Sequence, residues 1–246
     1  MLCGASSRGC AVTSNRGRPI ALQGNCRNKM PKTALYFVYT RRFFRFWSRK
    51  DPTMDKLTEC VYAFEKMLNI QYRVIIGRKG KATELCIGFS KLDFHHLVGL
   101  GKLKDLRIAT RNRRIVFDEI LTGKINYKTI LKSRYLHLIE NRFQPLAHIE
   151  TLFDDNRLVF RYNPTQNQFS LIQADYLLST PYSGNDVYIF LAKQEDTKQY
   201  FCRSFFPKQQ KDYTKGQAVY TMLYKEKVFL TTGTAQIQFD RLTPRN

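Results

Sequence analysis

The chain has 246 residues, of which 43% are hydrophobic and 13% aromatic, enough apolar material for a folded core and too much for a wholly disordered protein. Its 41 Lys and Arg against 20 Asp and Glu give a net charge of +21, which favours nucleic acid as partner, then an anionic membrane surface, with simple solvation of a basic protein as the remaining interpretation. No apolar run is long enough to cross a bilayer.

Residues 1–53 carry eleven basic residues, one acidic residue and no periodic apolar pattern, so no fold is predicted for them. Three interpretations stay open. The segment is a basic arm with stacking aromatics, an organelle transit peptide, or an extension ahead of a true start at Met54. We favour the third and treat the segment as a disordered or spurious extension, because Met54 directly precedes an amphipathic helix.

The first regular elements are predicted between residues 55 and 89. Apolar residues recur at helical spacing from Asp55 to Asn69, with Asp55 placed to cap the helix. Two strand-like runs, Tyr72–Ile76 and Glu84–Phe89, then flank the turn-rich segment 77–81. This pattern predicts a β-hairpin with a basic tip that can contact phosphate.

A helical region follows the segment 94–106. The pattern predicts a helix over 113–121 that stops at Gly123. Asn126 is expected to cap another helix, whose apolar face continues through Leu138 until Pro145 divides it.

From residue 158 onward the apolar period changes to two, which indicates strands. The predicted strands are Leu158–Tyr162, Phe169–Leu178, Val187–Ala192, Tyr200–Phe206 and Ala218–Tyr224. Helices followed by consecutive strands with short connections predict an α+β domain in which helices cover one face of an antiparallel meander. We assign residues 54–230 to this domain and 231–246 to a C-terminal tail.

His95 and His96 are the first candidate catalytic residues. In an extended segment adjacent side chains point to opposite faces, so one of the two is expected to face a cleft. A histidine titrates near neutral pH and can move the proton of a ribose 2′-hydroxyl or of a leaving 5′-oxygen, as metal-free RNA cleavage requires. The alternative is that both are structural, as we expect for His137 and His148.

Arg203 is the candidate for binding phosphate. Strand alternation places it on the same face as Phe205, with Ser204 on the other face. It could clamp a phosphate and stabilise the charge of a pentacoordinate transition state, and Lys193 could serve the same purpose. Ser204 or Tyr213 would add hydrogen bonds. The alternative is an arginine on the solvent face of an amphipathic strand.

Other chemistries lack their motifs. The sequence contains no Walker loop, GxSxG elbow, HExxH motif or carboxylate cluster, which disfavours nucleotide-driven enzymes, serine hydrolases and two-metal nucleases. The six cysteines form no C-x-x-C pair, so we expect reduced thiols and no zinc site. Asp175, in an otherwise apolar run, needs a cation such as Arg161 or Arg203. Neither a metal nor a cofactor is expected.

A family resemblance emerges from these segments taken in order: FHHLVGL (94–100), a Gly-Lys turn (123–124), IENRF (139–143), SLIQADYLL (170–178), DVYIFLAK (186–193) and YFCRSFF (200–206). Over about residues 54–225 they resemble the phage-barnase-EndoU-colicin E5/D-RelE-like nuclease domain of the fourth type, found on phages and conjugative elements. The resemblance implies a metal-independent RNase fold with helices packed on a curved antiparallel sheet. It also implies that His96 matches the family histidine and that Arg203 and Ser204 are its companions.

The resulting hypothesis is transesterification of RNA, with His96 as base or acid and Arg203, helped by Lys193, holding the phosphate. The alternatives are an inactive RNA- or ribosome-binding module and a DNA-binding accessory protein of a mobile element. The expected partners are RNA and an immunity or antitoxin protein, without a membrane. The expected location is the bacterial cytoplasm, with delivery into a host cell as a further option.

Overall fold

The structure, a computed structural model, describes residues 22–23, 55–167 and 170–244, with a helical half followed by a β-rich half. The α-helices in this part of the chain are α1 (Lys56–Met67), α2 (Lys91–Val98), α3 (Arg113–Leu121), α4 (Tyr127–Ile130), α5 (Phe143–Leu146) and α6 (Ile149–Asp155). The strands are β1 (Leu22–Gln23), β2 (Ile70–Arg78), β3 (Lys81–Ile87), β4 (Leu158–Arg161), β5 (Tyr176–Tyr182), β6 (Asn185–Lys193), β7 (Tyr200–Pro207), β8 (Ala218–Phe229) and β9 (Thr234–Asp240). No helix among the described residues has the length and apolarity needed to cross a membrane. Apart from β1, the predicted N-terminal extension lies outside the described residues.

The first helix and the hairpin confirm the sequence prediction. The Asp55 carboxylate accepts the backbone N–H groups of Leu57 and Thr58 at 3.0 Å each and so caps α1. β2 and β3 pair antiparallel around a two-residue turn in which Lys79 (φ +50°) and Gly80 (φ +76°) both adopt left-handed backbone. This is the geometry that matches the twist of a tight hairpin.

The mixed helix and sheet content fits the predicted α+β class, but the strands close into a barrel instead of the predicted curved sheet. β4 to β7 form the expected meander, but β8 leaves β7 and pairs with β2 on one side and β4 on the other. The ring has seven strands. Strand directions cannot alternate all the way round an odd-numbered ring, so one neighbouring pair must be parallel. That pair is β3 and β7.

The parallel contact that closes the ring is short. Ile87 is paired with Tyr200, and the Gly88 N–H donates to the Tyr200 carbonyl at 3.0 Å. Beyond Tyr200, α2 and the 3-10 turn Glu140–Arg142 pack against β7. We call this region, where β7 faces α2 and the 3-10 turn, the seam.

Apolar side chains form two cores. The main core lies between the helices and the inward face of the strands and includes Phe64, Phe94 and Phe205. A smaller aromatic cluster lies on the other face of β4 to β7. Its members are Phe160, Tyr162, Leu177, Tyr188 and Phe190, with Phe206 and Tyr213 packed against them.

Two predictions in the helical half need correction. The segment holding the two histidines is helical rather than extended, because Ser90 and Asp93 form a capping box that starts α2. The helix expected to continue from Asn126 stops after Ile130. The Asp105 carboxylate accepts the Ser133 hydroxyl at 2.5 Å and the Arg134 N–H at 2.9 Å, which fixes a turn there.

The β-rich half differs from the prediction in its boundaries. The second strand of the meander runs over Tyr176–Tyr182 instead of Phe169–Leu178. Ile172 and Ala174 pack on the aromatic cluster without strand pairing, so their apolar character indicated packing rather than a strand. β9 pairs with β8, so the sheet continues past residue 230.

The three cysteines in the described part of the chain divide into two groups. Cys60 and Cys202 are free and buried, as expected for structural thiols. The expectation of a reduced thiol is wrong for Cys86, which is disulfide-bonded.

Candidate functional site

The two adjacent histidines lie in different environments on α2. Consecutive helical residues are about 100° apart, so one side chain can face inward while the next faces out. His95 is 4% exposed, and its Nε2 lies 2.9 Å from the Ile108 carbonyl. His96 is exposed and lies toward the seam, close to the backbone of Arg203. The helix thus holds one imidazole in the interior and leaves the other at the surface.

Arg203 reaches the seam because β7 contains a bulge. Leu191 pairs with Cys202 and Phe190 pairs with Ser204, so Arg203 has no partner across the ladder. The extra residue shifts the phase of the strand, and Phe205 is buried in the same core as Cys202. The predicted alternation, with Arg203 and Phe205 on one face, is therefore wrong. The bulge turns Arg203 out to the surface beside His96.

Arg142, in the 3-10 turn of the seam, was not among the candidates. It is 7% exposed, and its Nη1 donates to the Leu97 carbonyl at 3.2 Å. Its guanidinium carbon lies 5.6 Å from the centre of the Phe206 ring, and its Nε has no hydrogen-bond partner among the described residues. Burial lowers the pKa of Arg142 to about 10. A buried guanidinium without a carboxylate is costly and marks a candidate binding site for an anion.

Gly99 allows the Arg142 turn to dock on α2. It ends α2 with φ +89°, in the left-handed region that favours glycine. A Cβ at this position would lie 2.8 Å from Cγ2 of Ile139 and 3.5 Å from Cζ of Arg142. The HHLVG and IENRF segments are therefore in direct contact, and glycine is required both for the turn and for the close approach.

The charges around His96 are mostly positive. Partial loss of solvent around the imidazole lowers the pKa of His96, and the charges of Arg113, Arg203 and Arg142 lower it further. Burial and the charge of Arg142 likewise lower the pKa of Lys102. We call these five residues the cationic cluster. Their mutual repulsion favours a neutral imidazole at pH 7 and the binding of an anion.

Few acids offset this charge. Among the described residues, no carboxylate lies within salt-bridge distance of Arg142 or Arg203. Asp93 interacts with Arg113, but its carboxylate is held by the backbone and hydroxyl of Ser90. The cluster therefore keeps a net positive charge, which a site that binds phosphate needs.

A comparison with protein families decides the relationship. The family model described as phage-Barnase-EndoU-ColicinE5/D-RelE like nuclease 4 matches residues 56–242, a range that runs from α1 through β9. The chain belongs to this family. No match was found among curated proteins or among solved structures.

The nuclease domain brings some predicted site residues together and separates others. His96 and Arg203 meet at the seam, and Ser204 lies next to Arg203, opposite Phe190 on the neighbouring strand. Lys193 pairs with Tyr200, three residues before Arg203 and hence about 10 Å away along β7. Lys193 therefore does not join the cationic cluster.

Tyr213 and His95 lie behind the site. Tyr213 packs with its ring centre 5.5 Å from that of Phe206, which in turn contacts Arg142. It supports the ring beneath Arg142 rather than the imidazole of His96. His95 is occupied by the carbonyl of Ile108 on the inner side of α2.

The donor set of the nuclease domain suits an anion better than a cation. Within the described part of the chain, no group of three or more His, Cys, Asp and Glu side chains is placed to hold a metal ion. The cationic cluster instead offers guanidinium and ammonium donors around one imidazole. Such groups bind phosphate oxygens in charge-assisted hydrogen bonds.

Proposed function

We propose that this nuclease domain cleaves RNA by transesterification, with His96 as the proton-transfer group and Arg142 and Arg203 as the phosphate clamp. The observation that carries the proposal is the buried guanidinium of Arg142, which has no carboxylate partner among the described residues, leaves its Nε without a hydrogen bond and acts electrostatically on His96. Burying the Arg142 guanidinium without a carboxylate destabilises the fold, and a bound phosphodiester would supply the missing negative charge.

The chemistry follows from the protonation state of His96. A neutral imidazole accepts the proton of the ribose 2′-hydroxyl, and the 2′-oxygen attacks phosphorus as the bond to the 5′-oxygen breaks. The leaving 5′-oxygen takes a proton from water, and the imidazolium then returns its proton to the solvent. The products are a 2′,3′-cyclic phosphate and a 5′-hydroxyl. His96 lies close to the backbone of Arg203, so the imidazole and the guanidinium of Arg203 face the same part of the seam.

The clamp acts on the charge that develops at phosphorus. The phosphorane carries more negative charge on its non-bridging oxygens than the diester does, so fixed positive donors stabilise it preferentially. Arg142 is fixed by the Leu97 carbonyl and the Phe206 ring, whereas Arg203 is exposed and able to follow the substrate. Because side chains supply the positive charge, the proposed step requires no metal ion.

RNA is proposed as substrate because the step consumes a 2′-hydroxyl, which DNA lacks. The word phage in the family description supports an origin on a mobile element. On that basis we extend the proposal to a mobile-element protein whose partners are RNA and an immunity or antitoxin protein.

The test is end-group analysis of RNA incubated with the full chain in the presence of EDTA. We expect fragments ending in 2′,3′-cyclic phosphate. We expect none from an oligonucleotide whose cleaved position is 2′-deoxy. His96→Ala should abolish cleavage and retain RNA binding. His137→Ala is the matched control, because His137 is exposed and bonds only the nearby Arg134 carbonyl.

Arg142→Met tests the clamp separately. It keeps the volume and flexibility of the side chain and removes the charge, so we expect cleavage to fall on the order of 10²-fold while the protein stays folded. RNA binding without cleavage by the unaltered chain would identify an inactive RNA-binding module. Preference for duplex DNA would identify a DNA-binding accessory protein.

A further inference from the structure

A second group of cations lies at the end of the barrel where β7 begins. Arg78, Arg161 and Lys193 stand at the ends of β2, β4 and β6. Their positions face into the barrel, because Ile76 and Val159, two residues before Arg78 and Arg161, belong to the main core. Lys193 is paired with Tyr200, which is also in that core.

Three tyrosines form the floor beneath these cations. Tyr176 contacts Tyr200 and Tyr220 edge to face, with ring centres 5.6 Å and 6.1 Å apart. Tyr176 and Tyr200 are 5% and 8% exposed, while Tyr220 is half-buried. We call the three cations and three tyrosines the barrel mouth.

Two of the cations lie against tyrosine rings, and all three remain accessible. The guanidinium of Arg161 lies 5.0 Å from the centre of Tyr176, and that of Arg78 lies 5.8 Å from the centre of Tyr220. The side chain of Arg161 is 46% exposed, and Arg78 and Lys193 are exposed as well. Aromatic rings held beside guanidinium groups are the combination that binds the bases and phosphates of a single strand.

Asp175 is the acid that forms an ion pair with a cation of the mouth, while Glu195 and Asp196, in the turn between β6 and β7, are exposed and form none with the three cations. The carboxylate of Asp175 lies 3.3 Å from Arg161 and accepts the backbone N–H of Lys193 at 2.9 Å. Asp175 therefore orients Arg161, as expected from the sequence, without neutralising the other two cations. The mouth is separate from the cationic cluster but close to it, since Tyr200 lies three residues, about 10 Å, before Arg203 on β7.

We propose that the barrel mouth is a second binding site for the same single-stranded RNA, holding nucleotides next to the one whose phosphate lies in the seam. The inference rests on the proposed function in taking RNA as the ligand. Bases would stack on the exposed part of Tyr220, and phosphates would bind Arg78, Arg161 and Lys193. The mouth would then determine how well a strand binds without taking part in the cleavage step.

The test compares two variants of the full chain. Each carries His96→Ala, so that RNA stays intact, together with three lysine or arginine substitutions. The mouth variant is Arg78→Gln, Arg161→Gln and Lys193→Gln. The control is Lys124→Gln, Lys128→Gln and Lys132→Gln, which removes the same charge from exposed lysines in and beside α4. Binding of a fluorescent single-stranded RNA is measured by anisotropy over a salt series.

We expect the mouth variant to bind RNA at least about tenfold more weakly than the control, with a shallower salt dependence. Three lost phosphate contacts reduce the slope of log K against log salt by about 2 for a single strand. Equal binding by the two variants, or no RNA binding by the unaltered chain, overturns the proposal. The proposal is also overturned if the mouth substitutions weaken the binding of duplex DNA more than the binding of single-stranded RNA.

Tyr220 gives a test that does not depend on charge. Tyr220→Phe keeps the ring and should keep RNA affinity, whereas Tyr220→Leu should weaken it about fivefold or more. Thermal melting checks that both variants fold. Cleavage by the unaltered chain is measured separately. Its absence together with a mouth effect on binding rejects the proposed function alone, and cleavage without a mouth effect rejects this inference alone.

Discussion

At the scale of single residues, the protonation of His96 follows from its neighbours. An imidazole that loses solvent and gains cations holds its proton less tightly than one in water. Partial loss of solvent acts first on the pKa of His96, then the charges of Arg113, Arg203 and Arg142 act in the same direction. The neutral form, which is the form able to accept a proton, is therefore favoured at pH 7.

A pH profile tests this electrostatic arrangement. The acid limb of kcat/KM for RNA cleavage should titrate with a pKa below the ordinary 6.5 of histidine, because this parameter reports the free enzyme. Arg113→Gln removes a positive charge and should shift the pKa of that limb upward. The matched control is Arg114→Gln, the next exposed arginine on α3, which does not contribute to the His96 shift. An equal shift in both variants would mean that net charge alone sets the limb.

Only part of the site was accessible from the sequence. His96 and Arg203 were chosen because histidine and arginine suit RNA cleavage, and the fold brings them together. Arg142 was missed because an arginine after Glu140 and Asn141 looks like an ordinary helix surface, while its importance comes from burial by α2 and Phe206. Lys193 was placed with Arg203 since both lie on neighbouring strands, but the register separates them.

At the scale of elements, the sequence predicted correctly those features that depend only on neighbouring residues, such as helix caps and tight turns. Asp55 caps α1, and Lys79 with Gly80 turns the hairpin, as predicted. The bulge at Arg203 could not be predicted, because one additional residue shifts the phase of β7 without altering its composition. The packing that buries Phe205 selects the bulged register, and it depends on residues distant in sequence.

Gly99 offers a test of how one element positions another. Gly99→Ala combines a left-handed backbone with a Cβ only 2.8 Å from Ile139, so the 139–143 segment must move away from α2. We expect a loss of about 1 to 3 kcal/mol in the free energy of unfolding and a fall in cleavage, because Arg142 moves with that segment. Urea unfolding and kcat/KM measure the two effects.

Gly123→Ala is the control for that variant. Gly123 also has a positive φ of +76°, but a Cβ there would meet nothing within 4 Å. It should lose about 1 kcal/mol from backbone strain alone and keep its cleavage rate. If both variants lose activity to the same extent, the contact between Gly99 and the Arg142 turn has no special role.

At the scale of the whole molecule, the α+β class and the order of the elements could be predicted, but barrel closure could not. Inward and outward alternation is the same for an open meander and for a ring, so the pattern does not distinguish them. The pairing of β8 with both β2 and β4, and the single parallel contact between β3 and β7, join segments far apart in the chain. Each of the two strands that make this closing contact leads directly, along the chain, to a residue of the candidate site. α2 with His96 follows Gly88, and Arg203 follows Tyr200.

Gly88→Pro tests whether closure of the ring positions the site. Proline removes the N–H that donates to the Tyr200 carbonyl, and Ile87 before it is already extended, as a residue preceding proline should be. We expect a loss of about 1 to 2 kcal/mol in the free energy of unfolding, faster amide exchange along β7 and a lower kcat/KM. Gly88→Ala keeps the N–H, and its Cβ would lie an ordinary 3.7 Å from the Gln199 side chain, so it should behave like the unaltered chain. The opposite outcome is that Gly88→Pro loosens β7 and leaves kcat/KM unchanged. That result would contradict the prediction, because His96 and Arg203 would then keep their positions when the contact between β3 and β7 is broken. The packing of α2 and the Arg142 turn against β7 would be sufficient to position them.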